Sequence, residues 1–411
     1  MKRRYVIIGG SIAGVSCVEG IRSRDPEGEI TVLSAEPVAN YGRPLISYYL
    51  EGKTDLERMS WRGPDFFDRN RAELRCAVTA EKLEPLEHRV RLSTGEYLEY
   101  DALCLCVGSS PFSPRFEGAE TVDKRFSFTT LADALALEQA VTRESRVLIV
   151  GAGFIGLKCA EGLRDRAGRI TVCDLADRAM SASLDADCSP ILERHLERNG
   201  IRLMLRDTVA RFDGHTAYMK SGKALSFDVL VTAIGVRPNT ALLAEAGGSV
   251  NRGILTGEGM ETSLPDIWAA GDCTETMDVS SGTPGVLAVL PNASLQGYCA
   301  GVNMAGGGEK FDKGIRLNSI GFYGLHIMSA GTCTEPVFTE ITETSCKKLF
   351  ARDGVLTGFI LIGDVNRAGI YTAMIRERTP LETIDFEAVM REPSLLPFGR
   401  EYRAEKLGGV V

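Results

Sequence analysis

Short apolar runs that close on glycine recur along the chain, among them YVIIGG, DALCLCVG, RVLIVGAG and FDVLVTAIG, and between them apolar residues recur every three or four positions. The short runs predict strands, and the longer periodic stretches predict amphipathic helices. Up to about residue 305 the two alternate, which predicts parallel sheets with crossover helices in an α/β fold. Beyond it the texture changes. GIRLNSIGFYGLHIMSAG and SCKKLFARDGVLTGFILIG read as antiparallel strands, with Asp353-Gly354 as a two-residue hairpin turn. AGGGEK at 305–310 predicts a linker, so a further α+β domain is expected from about Phe311. A helix is expected in NRAGIYTAMIRERT, and the closing LLPFGREYRAEKLGGVV is assigned to no element.

Two of the glycine closures share one design. VIIGGSIAG (Val6 to Gly14) and VLIVGAGFIG (Val147 to Gly156) each follow a strand and open a helix. In such a turn a dinucleotide pyrophosphate sits on helix N-terminal amides, and an acidic residue about 20 positions on takes the ribose hydroxyls. The second copy has Gly151, Gly153 and Gly156, and its following strand RITVCD ends in Asp174. The first has Gly9, Ser11 and Gly14, and its following strand EITVLSAE ends near Glu36. Serine in the middle position still lets backbone approach phosphate, less freely than glycine. Either match alone is weak, because glycine supplies 44 of 411 residues, and a tight turn without a ligand is the bland alternative. Strand, turn, helix and acid together predict two dinucleotide sites, and a protein holding two redox dinucleotides passes electrons between them.

A chain of 411 residues is long enough for two to three domains of about 150 residues, each with its own core. A net charge of -8 and a pI near 5.3 argue against a general affinity for nucleic acid or an anionic membrane. No apolar run is long enough to span a bilayer. MKRRYVIIGG imitates the start of a signal peptide, but glycines and Glu19 interrupt it and it reads as the first core strand. The eleven cysteines are scattered singly, apart from Cys104 and Cys106, and a chain of this size needs no disulfide staples. A reducing cytoplasm is the simplest compartment. Cys104 and Cys106 fall on one side of a strand, which suits either a redox or metal role or the filling of a core. There is no CxxC, and His88, His195, His215 and His326 are far apart, so no metal site is expected.

Further motifs join distant parts of the chain. TSLPDIWAAGD ends a short strand in Gly271-Asp272, where a carboxylate could accept ribityl hydroxyls or cap a following helix. YDALCLCVGSSP and FDVLVTAIGVRPN return to glycine turns at Gly108 and Gly235, positions where backbone can pass close to a flat ligand. The ordered set VIIGGSIAG, YGRPLIS, YDALCLCVGSSP, VLIVGAGFIG, FDVLVTAIGVRPN and TSLPDIWAAGD resembles the FAD-dependent pyridine nucleotide-disulfide oxidoreductase superfamily over most of the chain. YGRPLISYYL, GFYGLHIMSAG and LIGDVNRAGIYTAMIR are most similar to NADH:rubredoxin oxidoreductase, ferredoxin reductases and the flavin portion of assimilatory nitrite reductase.

The resemblance implies two Rossmann-like domains of the glutathione-reductase type and a small α+β C-terminal domain. FAD would occupy a discontinuous domain, 1–112 plus 240–306, NAD(P)H a domain at 113–239, and 311–411 would cover the flavin. The FAD residues implied are Gly9, Ser11, Ile12, Ala13, Gly14, Glu36, Arg43, Pro44, Val78, Gly108, Ser109, Asp272 and Leu290. The NAD residues implied are Gly151, Gly153, Phe154, Ile155, Gly156, Asp174 and Gly235. Three departures sharpen this. Where the disulfide-reducing branches carry a redox cysteine the chain has Pro44, which has no thiol, while Arg43 is implied to reach the FAD phosphates or adenosine, or else forms a surface ion pair. The FAD ribose acid, which in many members falls on Ser34, falls here on Glu36. Lys158 stands where many members place a glutamate, and two readings remain open for it: a cation favouring anionic reduced flavin, or an exposed lysine on the helix.

Asp174 favours NADH over NADPH, with Arg178 four residues on as a softening influence. The activity expected is an FAD-dependent NAD(P)H:acceptor oxidoreductase. It would pass electrons from NADH through FAD to an iron-sulfur or rubredoxin-like carrier, or to a partner subunit of a larger redox complex, in either direction. Two alternatives stand beside it: an NADH oxidase or small-molecule reductase, and an NADH-sensing flavoprotein that controls partner assembly.

Overall fold

In the computed structural model, which describes residues 2–407, the first glycine turn joins β1 (Arg4–Ile8) to α1 (Ile12–Arg22). β2 (Glu29–Ser34), the short α2 (Ile46–Leu50), β3 (Ala72–Cys76) and β4 (Ala102–Leu105) follow. β1 pairs in parallel with β2 on one side and β4 on the other, and β2 pairs with β3. Both faces of β4 are buried, which is why ALCL reads as a continuous apolar run rather than an alternating one.

A second sheet repeats the plan. α3 (Leu131–Ala140), β5 (Arg146–Val150), α4 (Phe154–Leu163), β6 (Arg169–Asp174), α5 (Ser189–Arg198), β7 (Ile201–Leu205) and β8 (Val229–Thr232) come in that order. β5 lies between β6 and β8, with β7 outside β6 and the two-residue strand Arg125–Phe126 outside β8, all parallel. The chain then returns to the first sheet through β9 (Ile267–Ala269), giving the order β9-β4-β1-β2-β3. In each sheet the strand order reverses at the strand that ends in the glycine turn, and open parallel sheets bind ligands at that crevice. Between the sheets the backbone crosses on two short antiparallel strands, Ser109–Pro111 and Val236–Pro238.

α6 (Leu290–Met304) seats the first turn. It crosses α1 at backbone contact: a Cβ at Gly297 would stand 2.1 Å from the Ala13 carbonyl oxygen, and one at Gly301 2.1 Å from that of Cys17. Only glycine permits this approach, and it holds α1 rigidly under its sheet.

The chain divides into two compact units, one of residues up to 176, 200–276 and 284–312, the other of 177–199, 277–283 and the chain from 313 onward. Phe311 is buried in the core of the first unit, its amide bonded to the Glu258 carbonyl at 2.7 Å. The second unit holds α5 and an antiparallel sheet of β10 (Leu317–Phe322), β11 (Leu325–Gly331), β12 (Pro336–Ile341), β13 (Cys346–Arg352) and β14 (Val355–Ile362), ordered β10-β11-β14-β13-β12. Asp353 and Gly354 turn β13 into β14 with φ of 53° and 73°, as a two-residue hairpin requires. α7 (Ala368–Glu377) covers the sheet through Tyr371, Met374 and Ile375. The tail left unassigned from sequence forms a helix at Arg400–Leu407; its last four residues lie outside those described.

One sequence expectation is corrected here. Cys188, just before α5, and Cys346, opening β13, form a disulfide across 158 residues of sequence. Beside it the buried Lys348 is held between Asp185 and Asp187, at 2.6 Å from each. Among the described residues no helix is long and apolar enough to cross a membrane.

Candidate functional site

At the end of β1 the chain must pass close under β4. Gly9 has φ of 126°, and a Cβ there would stand 2.0 Å from the Cys106 carbonyl oxygen. Gly14 backs onto Gly9 in turn, with only 1.9 Å between a built Cβ and the Gly9 oxygen. Ser11 caps α1 in extended conformation and its side chain makes no capping bond. Ile12 and Ala13 complete a first helical turn that contains no acidic residue. The helix N-terminal amides therefore present a positive end that no neighbouring side chain of the helix neutralises.

Polar groups gather beside this turn. The Glu36 carboxylate accepts from the Tyr41 hydroxyl at 2.6 Å and from the Arg43 guanidinium. Arg43 also donates to the Thr129 carbonyl at 3.1 Å, and Tyr41 accepts from the Leu131 amide at 3.0 Å. Arg43 is thus an ion-pair arginine in this structure, bound to the acid proposed for the ribose. Val78 donates its amide to the Ser34 carbonyl at 2.9 Å, placing it at the same strand ends. Asp272 follows Gly271, where a built Cβ would stand 3.2 Å from that of Ala13, and receives the Ser109 hydroxyl at 3.3 Å. Burial pushes the Asp272 carboxyl above its ordinary value, opposed by the Ser109 hydrogen bond and the Arg43 charge. Gly108 takes a left-handed turn with φ of 63°, Leu290 opens α6 against the core that holds Ile12 and Ala13, and Pro44 is exposed. A half-desolvated carboxylate with one weak hydroxyl donor is an acceptor in want of donors. Together with Glu36, Arg43 and the α1 N-terminus it forms a donor and acceptor set that fits FAD: hydroxyls for the acids, phosphates for the cation and the amides.

The second turn has the same backbone. Gly151 has φ of 117° and no room for a Cβ, which would meet the Ala233 oxygen at 2.2 Å, whereas nothing lies within 4 Å of a Cβ built at Gly153. Phe154, Ile155 and Gly156 form the first turn of α4, again without an acid. Asp174 ends β6 and accepts from the Ala152 amide at 2.6 Å and the Ala176 amide at 2.8 Å, so its carboxylate is fixed by the glycine turn itself. Gly235, with φ of 116°, accepts the Phe112 amide at 2.9 Å. Arg178 belongs to the second unit, where it donates to Asp177 at 2.7 Å and to the Leu184 carbonyl at 3.1 Å.

Lys158 is not the exposed lysine of one reading. It is 9 % exposed, paired with Glu161, 3.9 Å from Glu51 and 4.3 Å above the Tyr48 ring. The cluster lies where α2 packs on α4, and Lys53, paired with Glu51, supplies a second cation for the two carboxylates. Tyr41, Tyr48 and Glu51 were not singled out from sequence, although all three lie in or just after the YGRPLISYYL segment. Cys104 and Cys106 sit in the core beneath the first turn, their sulfurs 3.5 Å apart. Both thiols lie well above the usual value, Cys106 through its bond to Cys104 and burial, Cys104 because the lowering by Cys106 is outweighed by its bond to Cys17 and burial, as core filling would have it.

A family model described as pyridine nucleotide-disulphide oxidoreductase matches residues 3–297. The NADH-dependent phenylglyoxylate dehydrogenase subunit epsilon of Aromatoleum evansii is 30 % identical, over 98 % of this chain and 97 % of its own. The NAD(P)H nitrite reductase of Bacillus subtilis is 29 % identical over 92 % of this chain, which spans only 48 % of that protein. Putidaredoxin reductase, solved as a covalent complex with putidaredoxin, superposes with a TM-score of 0.87 at 22 % identity, over 95 % of this chain and 96 % of that one, and so shares the fold.

Proposed function

The chain belongs to the pyridine nucleotide-disulphide oxidoreductase family, and we propose that it is an FAD-dependent oxidoreductase that takes hydride from NADH and passes electrons to a protein carrier or partner subunit. One observation carries this reading. A single compact unit holds two helix N-termini of matching backbone, one attended by Glu36, Arg43 and Asp272, the other by Asp174.

FAD is assigned to the first turn, with Gly9, Ser11, Ile12, Ala13 and Gly14 at the pyrophosphate, Glu36 at the adenosine ribose and Asp272 at the ribityl chain. Arg43, Pro44, Val78, Gly108, Ser109 and Leu290 complete that site. NADH is assigned to the second turn, with Gly151, Gly153, Phe154, Ile155 and Gly156 at its pyrophosphate, Asp174 at its ribose and Gly235 nearby. The cofactor domains follow as 1–112 with 240–306, and 113–239, with the C-terminal domain from 311. When bound, FAD supplies a group that accepts hydride and releases electrons singly.

The chain's part is positioning. Asp174, held by two amides, meets ribose hydroxyls without reorganising and repels a 2′-phosphate, which favours NADH. Glu36 shares its lone pairs among Tyr41, Arg43 and the ribose, within the capacity of a carboxylate. Lys158, its charge matched by Glu161 and Glu51, is assigned as a clamp between α2 and α4. A displaced flavin midpoint potential in Lys158→Met would return it to the electrostatic role.

Pro44 supports an exit that uses no thiol relay, and the full-length match to a dehydrogenase subunit supports a partner subunit as acceptor. Nine free cysteines support a cytoplasmic setting. Anaerobic stopped-flow mixing of the FAD-loaded protein with NADH tests the reading: rapid bleaching of the flavin, slower with NADPH, followed by transfer to a copurifying iron-sulfur protein, is expected. Fast NADH consumption in air without a carrier would make the protein an oxidase, and slow bleaching with a change of oligomeric state would make it a sensor.

A further inference from the structure

The second parallel sheet carries, at the end opposite its glycine turn, an arrangement that the redox reading does not use. Three adjacent strands bring arginines to one face. Arg146 opens β5 and is the register partner of Arg169, which opens β6; Arg202, second in β7, is the register partner of Thr171, two residues on from Arg169. Register partners in a parallel pair, and residues two apart along a strand, point the same way. Arg146 is matched by Asp228 at 2.8 Å. Among the described residues Arg169 and Arg202 form no ion pair, and both are exposed.

Arg164 completes the group from the C-terminal end of α4. Its guanidinium lies over Gly200, where a built Cβ would stand 2.7 Å from Nη2, and Gly200 itself has φ of 81°. A side chain at 200 would be strained and would evict the guanidinium, so the glycine makes the place that Arg164 occupies. Arg164, Arg169 and Arg202, with Ala167, Gly168, Ile170 and Gly200, line a cavity of about 500 Å³ that is open to solvent. No carboxylate and no aromatic ring lines it. Cavities of a few hundred Å³ suit small ligands. Arg169 and Arg202, without an ion pair among the described residues, repel one another, and in a chain of net charge -8 nothing in the overall composition calls for their convergence.

We propose that this cavity is a binding site for a compact polyanion of the phosphate class, separate from both dinucleotide sites. The guanidinium fork matches phosphate oxygens two at a time, and three forks suit a group bearing two or more negative charges. The absence of a stacking surface assigns the site to the phosphate part of a ligand rather than to a base. β6 runs from Arg169 to Asp174, so the cavity and the NADH acid stand at opposite ends of a six-residue strand, roughly 17 Å apart.

The test is calorimetric titration of the full, FAD-loaded and NAD⁺-saturated protein with inorganic pyrophosphate at constant ionic strength, NAD⁺ keeping pyrophosphate off the second glycine turn. Saturable binding of one equivalent is expected, weakened at least tenfold in Arg169→Gln/Arg202→Gln, while NAD⁺ affinity stays unchanged in that variant. Arg169→Lys/Arg202→Lys, which keeps the charge but loses the fork, should fall between. Glycerol 3-phosphate in a parallel titration distinguishes a phosphate ester from free pyrophosphate as the natural source. Failure to saturate, equal binding by the double glutamine variant, or equally tight binding of citrate each overturns the proposal. Because flavin reduction by NADH needs none of these arginines, its loss would count against the redox reading and not against this site.

Discussion

Two carboxylates at strand ends stand in opposite states, and each makes its own prediction. Asp272 is driven up by burial, so with FAD absent its ionisation weakens the fold. Between the ordinary carboxylate value and the raised one the folded state binds the extra proton, and stability falls as pH rises through that window. Asp272→Asn should therefore leave the apoprotein melting at or above the wild-type temperature at pH 7, while FAD affinity drops at least tenfold, the loss expected for a charge-assisted bond of about 1.5–3 kcal/mol. A variant that melts lower and keeps FAD would reverse the assignment. Asp174 instead spends its charge on two backbone amides. Asp174→Ser should raise KM for NADH about tenfold and narrow the preference over NADPH, measured as the ratio of kcat/KM values. Lys158 belongs with them, since Lys158→Met takes an ion-pair partner from the buried Glu161, while Glu51 keeps Lys53. A loss of about 3 kcal/mol in denaturant unfolding is expected, most of it recovered by Glu161→Gln in the same chain.

The elements that orient the first turn depend on the glycines of α6. A valine at Gly301 puts a side chain into the Cys17 carbonyl and forces α1 and α6 apart. About 3 kcal/mol of stability should go with it, since overpacking a tight contact costs about 1–3 kcal/mol and backbone cannot yield as a side chain can. Retention of FAD after gel filtration reads out the displaced turn. At this scale the sequence was most legible in its local signals. Both strand-turn-helix units, the acids at Glu36 and Asp174 and the Asp353-Gly354 hairpin follow from short spacings that act through backbone geometry. What stayed hidden depends on pairs far apart in the chain: Lys158 with Glu51, and Cys188 with Cys346. Gly297 and Gly301, four apart on one helix face, were a readable sign of close helix packing. They passed unnoticed because the helix they touch lies almost three hundred residues earlier.

At the scale of the molecule, the route of electrons is constrained by where thiols are absent or inert. All nine free cysteines have thiols raised above the usual value, with burial the largest cause in every case but Cys106, raised first by its bond to Cys104, and Cys104, where the lowering by Cys106 is outweighed by the bond to Cys17 and burial. Thiolate, not thiol, reacts with alkylating reagents. Treatment with N-ethylmaleimide at pH 7 should label chiefly the exposed Cys333 and leave NADH-to-carrier turnover intact; stoichiometric loss of turnover would reveal a thiol on the path. The strand pair of Ser109–Pro111 and Val236–Pro238 has a different consequence. It brings the two ends of the intervening segment side by side, about 5 Å apart at ordinary strand spacing. The segment between them is thus a cassette, and a short turn could close the chain without it at little entropic expense. The cassette is held to α2 and the residues before it by the Tyr49 hydroxyl on Glu138 at 2.9 Å, by Arg166 at the Leu50 carbonyl, by the Lys158 cluster, and by Arg43 and Tyr41 at Thr129 and Leu131. The excised protein would therefore need that face refitted with polar side chains before it could stand as a flavin module with no nucleotide reductase attached.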